Sequence, residues 1–242
     1  MAMKLVLFDI DGTLLHCGGK TREPLAEALE QTCGTSGSLR ADGFAGKTDD
    51  QIVFDALLSA GLDEEQIRSA LPQIKSRYLA ILDERVDGNG IRLLPGVLET
   101  LKRLALDESV RVGLLTGNWK AGAHWKLQHL DLNWQFEVGA FGDGRRDRVE
   151  LPPVALGEAR EHFGFDFPAA DVLIVGDTPN DVRCGHHHGI RVLAVATGYV
   201  GREELVEAGA DWVCDDLIDA AYLAPVLSAI DRGAPQAGSG AR

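Results

Sequence analysis

Lys4-Leu5-Val6-Leu7-Phe8-Asp9-Ile10-Asp11-Gly12-Thr13 is the stretch on which the reading of this chain turns. Five residues rich in Leu, Val and Phe form a strand, and two acids follow, one residue apart, before a glycine. Within a strand such neighbours would point to opposite faces. At a strand end, where the chain turns at Gly12, Asp9 and Asp11 can reach one site. Two carboxylates so placed repel unless a cation or a shared proton relieves them. A hard divalent ion with oxygen ligands does this, and Mg²⁺ commonly takes one or two carboxylates together with phosphate oxygens. The competing reading of the pair alone is a surface Asx turn.

The pattern recurs twice. Leu114-Leu115-Thr116-Gly117-Asn118 ends a second apolar strand in a hydroxyl, a glycine amide and a side-chain amide, all able to donate to phosphate oxygens. Ile174-Val175-Gly176-Asp177-Thr178-Pro179-Asn180-Asp181 ends a third in an acid. There Thr178 is placed to cap a helix that Pro179 begins, with Asp181 in its first turn. Strands are expected at 4–10, 110–115, 136–141, 172–175 and 191–196, with a short sixth at 212–214. Helices are expected at 98–106, 152–162, 181–188 and 203–208. Short apolar strands alternating with helices predict a doubly wound α/β fold with a parallel sheet, whose ligands sit beyond the carboxyl ends of the strands.

From 15 to 89 the alternation stops. Helical patterns at 24–31, 49–60 and 63–82 are separated by glycine-rich turns, and Thr48-x-x-Gln51 has the form of a capping box. The expected organisation is an α/β core from 1–14 and 90–232, a small all-helical cap inserted after the first strand at 15–89, and a disordered tail at 233–242. A chain of 242 residues carrying 24 Lys+Arg against 37 Asp+Glu has a net charge of −13, which argues against a nucleic-acid surface but not against a small anionic substrate. No apolar run approaches the ~20 residues of a membrane span. The opening residues do not read as a signal peptide, and four dispersed cysteines do not read as a disulfide framework. A cytoplasmic protein without membrane or nucleic-acid partners is expected, as a monomer or homodimer.

These motifs, in this order and at these distances, resemble the haloacid dehalogenase superfamily in its phosphoglycolate-phosphatase-like branch, over nearly the whole chain. The resemblance implies a Rossmann-like core and a phosphatase acting on a small phosphorylated metabolite. It implies that Asp9 attacks phosphorus, that Asp11 protonates the leaving oxygen and later activates water, and that Thr116, Gly117 and Asn118 bind the transferring group. It further implies Mg²⁺ held by Asp9, by the backbone carbonyl of Asp11 and by Asp177, with Asp181 in support. Metal-independent dehalogenases of the superfamily lack the second acid, so Asp11 argues against that branch. The rival readings are a sugar-phosphate mutase similar to β-phosphoglucomutase and a catalytically silent binding protein. As acid, Asp11 is expected to occupy a less compensated site than Asp9.

The chain departs from the family pattern at the cation. A lysine is expected before the helix that precedes the last motif, and 142–153 contains none. Arg148 has the fitting distance to the Pro152 helix, while Arg145, Arg146 and Lys120 remain alternatives. Arginine keeps its charge and can bind phosphate bidentately. His186-His187-His188 reads as a solvated helix end rather than a metal cluster, because consecutive helical residues point apart. Lys47 reads as an exposed lysine or a substrate contact. Trp119, Trp125 and Trp134 read as packing around one helix.

Overall fold

The computed structural model describes residues 3–39, 43–218, 223 and 227. The expected tail at 233–242 lies outside the described residues. In chain order the elements are β1 (Lys4–Phe8), β2 (Leu15–His16), α1 (Arg22–Cys33), α2 (Asp49–Ser59), α3 (Glu64–Arg85), β3 (Arg92–Leu93), α4 (Val97–Ala105) and β4 (Val110–Leu115). There follow α5 (Lys120–Gln128), β5 (Val138–Ala140), α6 (Leu151–Phe163), β6 (Val172–Gly176), α7 (Pro179–His187), β7 (Arg191–Val195), α8 (Arg202–Glu207) and β8 (Trp212–Cys214).

Six strands form one sheet in the order β5-β4-β1-β6-β7-β8, and every neighbouring pair is parallel. Strand β1 lies in the middle with all five residues buried. Its alternation feeds two cores: Val6 and Phe8 join the side holding Leu101, Leu104, Trp119 and Trp125, and Leu5 and Leu7 join the side holding Ala155, Ala159 and Val182. From β1 the chain winds outward through β4 and β5 and then returns to build β6, β7 and β8 on the other side. The switch point lies between β4 and β6, on either side of β1. This is where an open α/β sheet leaves a crevice beyond its strand ends, and it is where the three motifs lie.

Among the described residues, 22–85 contain three helices and contribute no strand to the main sheet. The expected strand-free interval is corrected at one margin. Leu15–His16 pairs antiparallel with Arg92–Leu93, so a two-stranded ribbon carries the chain out of and back into the α/β body. Two of the three helices begin with a side-chain cap. Asp63 and Gln66 form a reciprocal capping box at α3, and Thr48 accepts from the Gln51 amide at α2 at 3.1 Å. Pro72 sits inside α3 without ending it.

The helical layer is fastened over the strand ends by polar bonds. Thr48 Oγ1 donates to the Arg145 carbonyl at 2.7 Å, and the Asp49 amide donates to the Gly117 carbonyl at 2.8 Å. Asp50 accepts from the Trp119 indole at 2.6 Å and from the Gly144 amide at 2.9 Å. The Trp125 indole donates to Asp83 at 2.7 Å. Helix α5 is thus the shelf on which α2 and α3 rest. Trp119 and Trp125 pack as expected, whereas Trp134 is 67% exposed and takes no part.

Thr48 caps α2 and crosslinks it to the loop after β5, so Thr48→Ala removes both bonds. The expected loss is about 1–2 kcal/mol, read as a lower urea midpoint at unchanged slope.

Candidate active site

The carboxyl ends of β1, β4 and β6 converge on a cavity of about 400 Å³ lined by Asp9, Asp11, Gly117, Asn118, Lys126, Arg148 and Asp177 from the α/β body. Residues of the helical layer, among them Arg22, Lys47, Asp49 and Tyr78, close the other side. The turn after β1 is built on Gly12, whose φ of +85° is a left-handed conformation that glycine adopts without strain. A Cβ at Gly12 would also stand 2.2 Å from Asp177 Oδ2, so the absence of a side chain opens the slot in which Asp177 sits. Thr13 Oγ1 donates to Asp177 Oδ1 at 3.0 Å and fixes that carboxyl in place.

Asp9, Asp177 and Asp181 are all buried, and one oxygen from each lies within 4.8 Å of the others. Burial pushes the Asp9 carboxyl up to about 6, with Arg148 opposing the shift and Asp181 and Asp11 adding to it. Burial raises Asp177 well above the carboxylate range, and the neighbouring Asp9 and Asp181 raise it further. One guanidinium answers three carboxylates here. An all-oxygen set of acids that resist ionisation in one another's company fits a hard divalent cation, whose charge would relieve that repulsion.

The guanidinium is Arg148, the largest fully buried side chain among the described residues. It sits on a single turn of 3₁₀ helix, Arg148–Glu150, immediately before α6. Its Nη2 donates to Asp181 Oδ1 at 2.6 Å, lies 3.0 Å from Asp9 Oδ2 and reaches the Leu115 carbonyl at 3.3 Å. Its Nε is buried without an acceptor among the described residues. The alternatives are engaged elsewhere. Arg145 donates to the Asp143 carbonyl, Arg146 pairs with Glu64 and stacks over Phe54, and Lys120 lies over Phe141. Asp181 is itself locked by Thr178, which donates to it from Oγ1 at 2.6 Å and from its amide at 3.0 Å.

Asp11 overturns the expectation of a less compensated site. Burial alone would raise its carboxyl, but the ammonium of Lys126 beside it and hydrogen bonds from Lys126 and Asn118 hold it below the usual range. Asp9 is the acid whose affinity for its proton is raised. Gly117 and Asn118 line the cavity with Asp9, whereas Thr116 is fully buried and is not part of its lining. Asn118 Nδ2 donates to Asp11 Oδ2 at 2.7 Å and to Thr116 Oγ1 at 2.8 Å. Gly117 passes so close under the helical layer that a Cβ would lie 2.1 Å from the Lys47 carbonyl. Lys47 is half-buried and paired with Asp55 at 2.9 Å. The histidine run diverges as expected, yet it is not simply solvated: His186 meets Asp211 at 3.0 Å, and His188 meets the Val149 carbonyl at 2.6 Å.

Sequence reasoning missed Lys126. Helix α5 contains a glycine and has little amphipathic contrast, and a lysine in it reads as solvated. The available signal was its distance of eight residues from Asn118, about two helical turns, which returns a side chain toward the same motif.

This geometry agrees with comparisons across known proteins. A haloacid dehalogenase-like hydrolase family model matches residues 3–189, and the chain belongs to that family. Within it, the chain resembles phosphoglycolate phosphatases. It is 27% identical to the phosphoglycolate phosphatase of Nitrosospira multiformis over 231 residues, covering 92% of this chain and 96% of that one. It is 28% identical to that of Rhodospirillum rubrum, covering 88% and 87%. In fold it superposes on a crystal structure described as a predicted phosphoglycolate phosphatase of Haemophilus somnus, with a TM-score of 0.67, 23% identity and coverage of 92% and 98%. It superposes similarly on β-phosphoglucomutase of Clostridium difficile, with a TM-score of 0.66, 16% identity and coverage of 94% and 98%.

Arg148→Ala should cost turnover about 10²-fold or more, the scale of removing one transition-state donor. It should also destabilise the fold by about 3–5 kcal/mol, because two buried carboxylates lose their partner. Arg148→Lys should recover much of the activity. Steady-state kinetics and urea denaturation of both, beside Arg145→Ala and Arg146→Ala as controls, check the assignment.

Proposed function

We propose that this chain is a magnesium-dependent phosphatase that hydrolyses a small phosphomonoester through an aspartyl-phosphate on Asp9, with phosphoglycolate the first substrate to test. One observation carries the reading: Asp9, at the end of the central strand, is held 3.0 Å from a buried guanidinium on the floor of a cavity that also presents Asp11. A carboxylate fixed beside a cation is what in-line attack on phosphorus needs. The buried Nε of Arg148, which has no acceptor among the described residues, supports a phosphoryl oxygen as its partner.

In the first half-reaction an Asp9 oxygen forms a bond to phosphorus. The ester P–O bond breaks with its electron pair on the leaving oxygen, which takes a proton from the Asp11 carboxyl, whose affinity for a proton the anionic substrate raises above that in the free site. In the second, Asp11 accepts a proton from water, the water oxygen bonds to phosphorus, and the acyl–phosphate bond breaks to return Asp9 as a carboxylate. Arg148 offsets charge on the transferring group through both halves, and the rim 116–118 orients it. Asp9, Asp177 and the Asp11 carbonyl would hold Mg²⁺, with Asp181 in support; when bound, the ion adds positive charge over the phosphoryl oxygens. The helices of 15–89 serve as a lid that excludes water and shapes the leaving-group pocket. The sequence relatives named phosphoglycolate phosphatase support this substrate class. A cytoplasmic location belongs to the same reading; among the described residues no helix is long and apolar enough to cross a membrane.

Purified protein should release phosphate from phosphoglycolate and from p-nitrophenyl phosphate when Mg²⁺ is present. Activity should vanish after chelation, and Ca²⁺ should inhibit, since its looser and more numerous coordination misplaces the nucleophile. Full activity after exhaustive chelation would sink the metal assignment.

Asp9→Asn should retain the fold by circular dichroism and lose turnover to background. More than a trace of phosphatase activity in the Asp9→Asn variant would move the nucleophile elsewhere.

A further inference from the structure

We propose that Lys126 is a positioning residue for Asp11: its ammonium pins one carboxyl oxygen of that acid, so that proton delivery to the leaving group depends on a lysine outside the motifs that carry the family resemblance. The inference rests on the phosphatase reading above and deepens it.

Lysine is almost never fully buried unless paired, and the Lys126 side chain is 5% exposed. It comes from the interior of α5, two turns beyond the phosphate-binding rim. Its Nζ lies 2.5 Å from Asp11 Oδ2 and 2.6 Å from Asn118 Oδ1. Asn118 Nδ2 in turn donates to the same Asp11 oxygen, so Lys126, Asn118 and Asp11 close a ring. Each bond in the ring constrains the next. An ammonium can only donate, so it obliges Asn118 to present its carbonyl oxygen, and that rotamer aims the amide NH₂ at Asp11 and Thr116. Asp11 Oδ2 thereby receives two donors, Cys17 adds a further hydrogen bond to the carboxyl, and the group is held in one orientation in the cavity that Asp11 and Lys126 both line.

Stability does not explain this arrangement. Replacing both members of a buried ion pair by apolar residues is often neutral or stabilising, whereas either charge left alone is costly, so the fold could dispense with the pair as a whole. The helical layer completes the environment: Asp49, Tyr78 and Cys17 all lie close enough to act on the ammonium. Seating α2 and α3 on α5 is therefore also what encloses the ring. Lys126 links closure of the layer to the placement of the acid.

The consequence is specific to the leaving group. Protonation matters greatly for an alkoxide and little for a good leaving group such as dinitrophenolate. General acid catalysis is typically worth about 10²–10⁴-fold, and kcat/KM reports the step in which the leaving group departs. Lys126→Met keeps the length of the side chain and removes its charge. It should lower kcat/KM for an alkyl phosphate about 10²-fold and for 2,4-dinitrophenyl phosphate less than about tenfold. Lys126→Arg should restore part of the alkyl-phosphate loss. In an Asp11→Asn background, adding Lys126→Met should cost little more, because the lysine acts through a group already disabled. Wild-type turnover of the aryl ester tests the phosphatase reading on its own, and an enzyme inert toward both esters would overturn that reading and this role with it. Given wild-type activity, equal losses on the two esters, a rise in KM with unchanged kcat, or full additivity with Asp11→Asn would each overturn the role assigned to Lys126.

Discussion

The buried contact between Arg148 and the two carboxylates of Asp9 and Asp181 is the constraint on which the rest of this structure depends. Isolated, each of these charges would be costly to remove from water. Together they are tolerable only at hydrogen-bond distance, and that requirement draws three separate pieces of chain to one point: the end of β1, the 3₁₀ turn before α6 and the first turn of α7. The fold brings these pieces near one another, and the charges fix the last ångström. Because the guanidinium cannot balance three acids alone, the centre retains an affinity for positive charge.

Around that point the polypeptide is trimmed rather than padded. Asp177 fits because Gly12 lacks a side chain, and the turn after β4 fits under the start of α2 because Gly117 lacks one. The same economy explains how the helical layer approaches so closely. Its contacts with the α/β body at Thr48, Asp49 and Asp50 are made by main-chain groups and short polar side chains. Apolar contact runs beside these bonds: Tyr78 of α3 meets the Trp119 ring edge-on with centroids 5.8 Å apart, and the two layers share one hydrophobic cluster.

Much of this was legible in the chain itself, for identifiable reasons. The apolar strands ending in polar motifs stand out because a parallel sheet buries both faces, so its strands read as continuous hydrophobic runs. Asp9, Asp177 and Asp181 could be placed because each follows such a run. Arg148 could be chosen over its neighbours by its distance from Pro152. Three features were hidden. The ribbon of Leu15–His16 with Arg92–Leu93 is too short to show a period and pairs residues far apart in the chain. Helix α5 carries a weak pattern because its faces meet both the core and the helical layer. Lys126 and the compensation of Asp11 depend on tertiary proximity that no local spacing encodes, and the charge ranking of the two acids reverses as a result.

The tryptophans add an optical consequence. Trp119 and Trp125 are nearly sealed from solvent, and their indole N–H groups donate to Asp50 and Asp83 of the helical layer. Indole emission shifts with the polarity around the ring and with the charge at its nitrogen. Separation of the layers would hydrate both chromophores and take a carboxylate away from each. These two indoles would therefore report by fluorescence any separation of the layers, at the two places where α2 and α3 touch the shelf. The exposed Trp134 supplies a constant background against which that signal can be read.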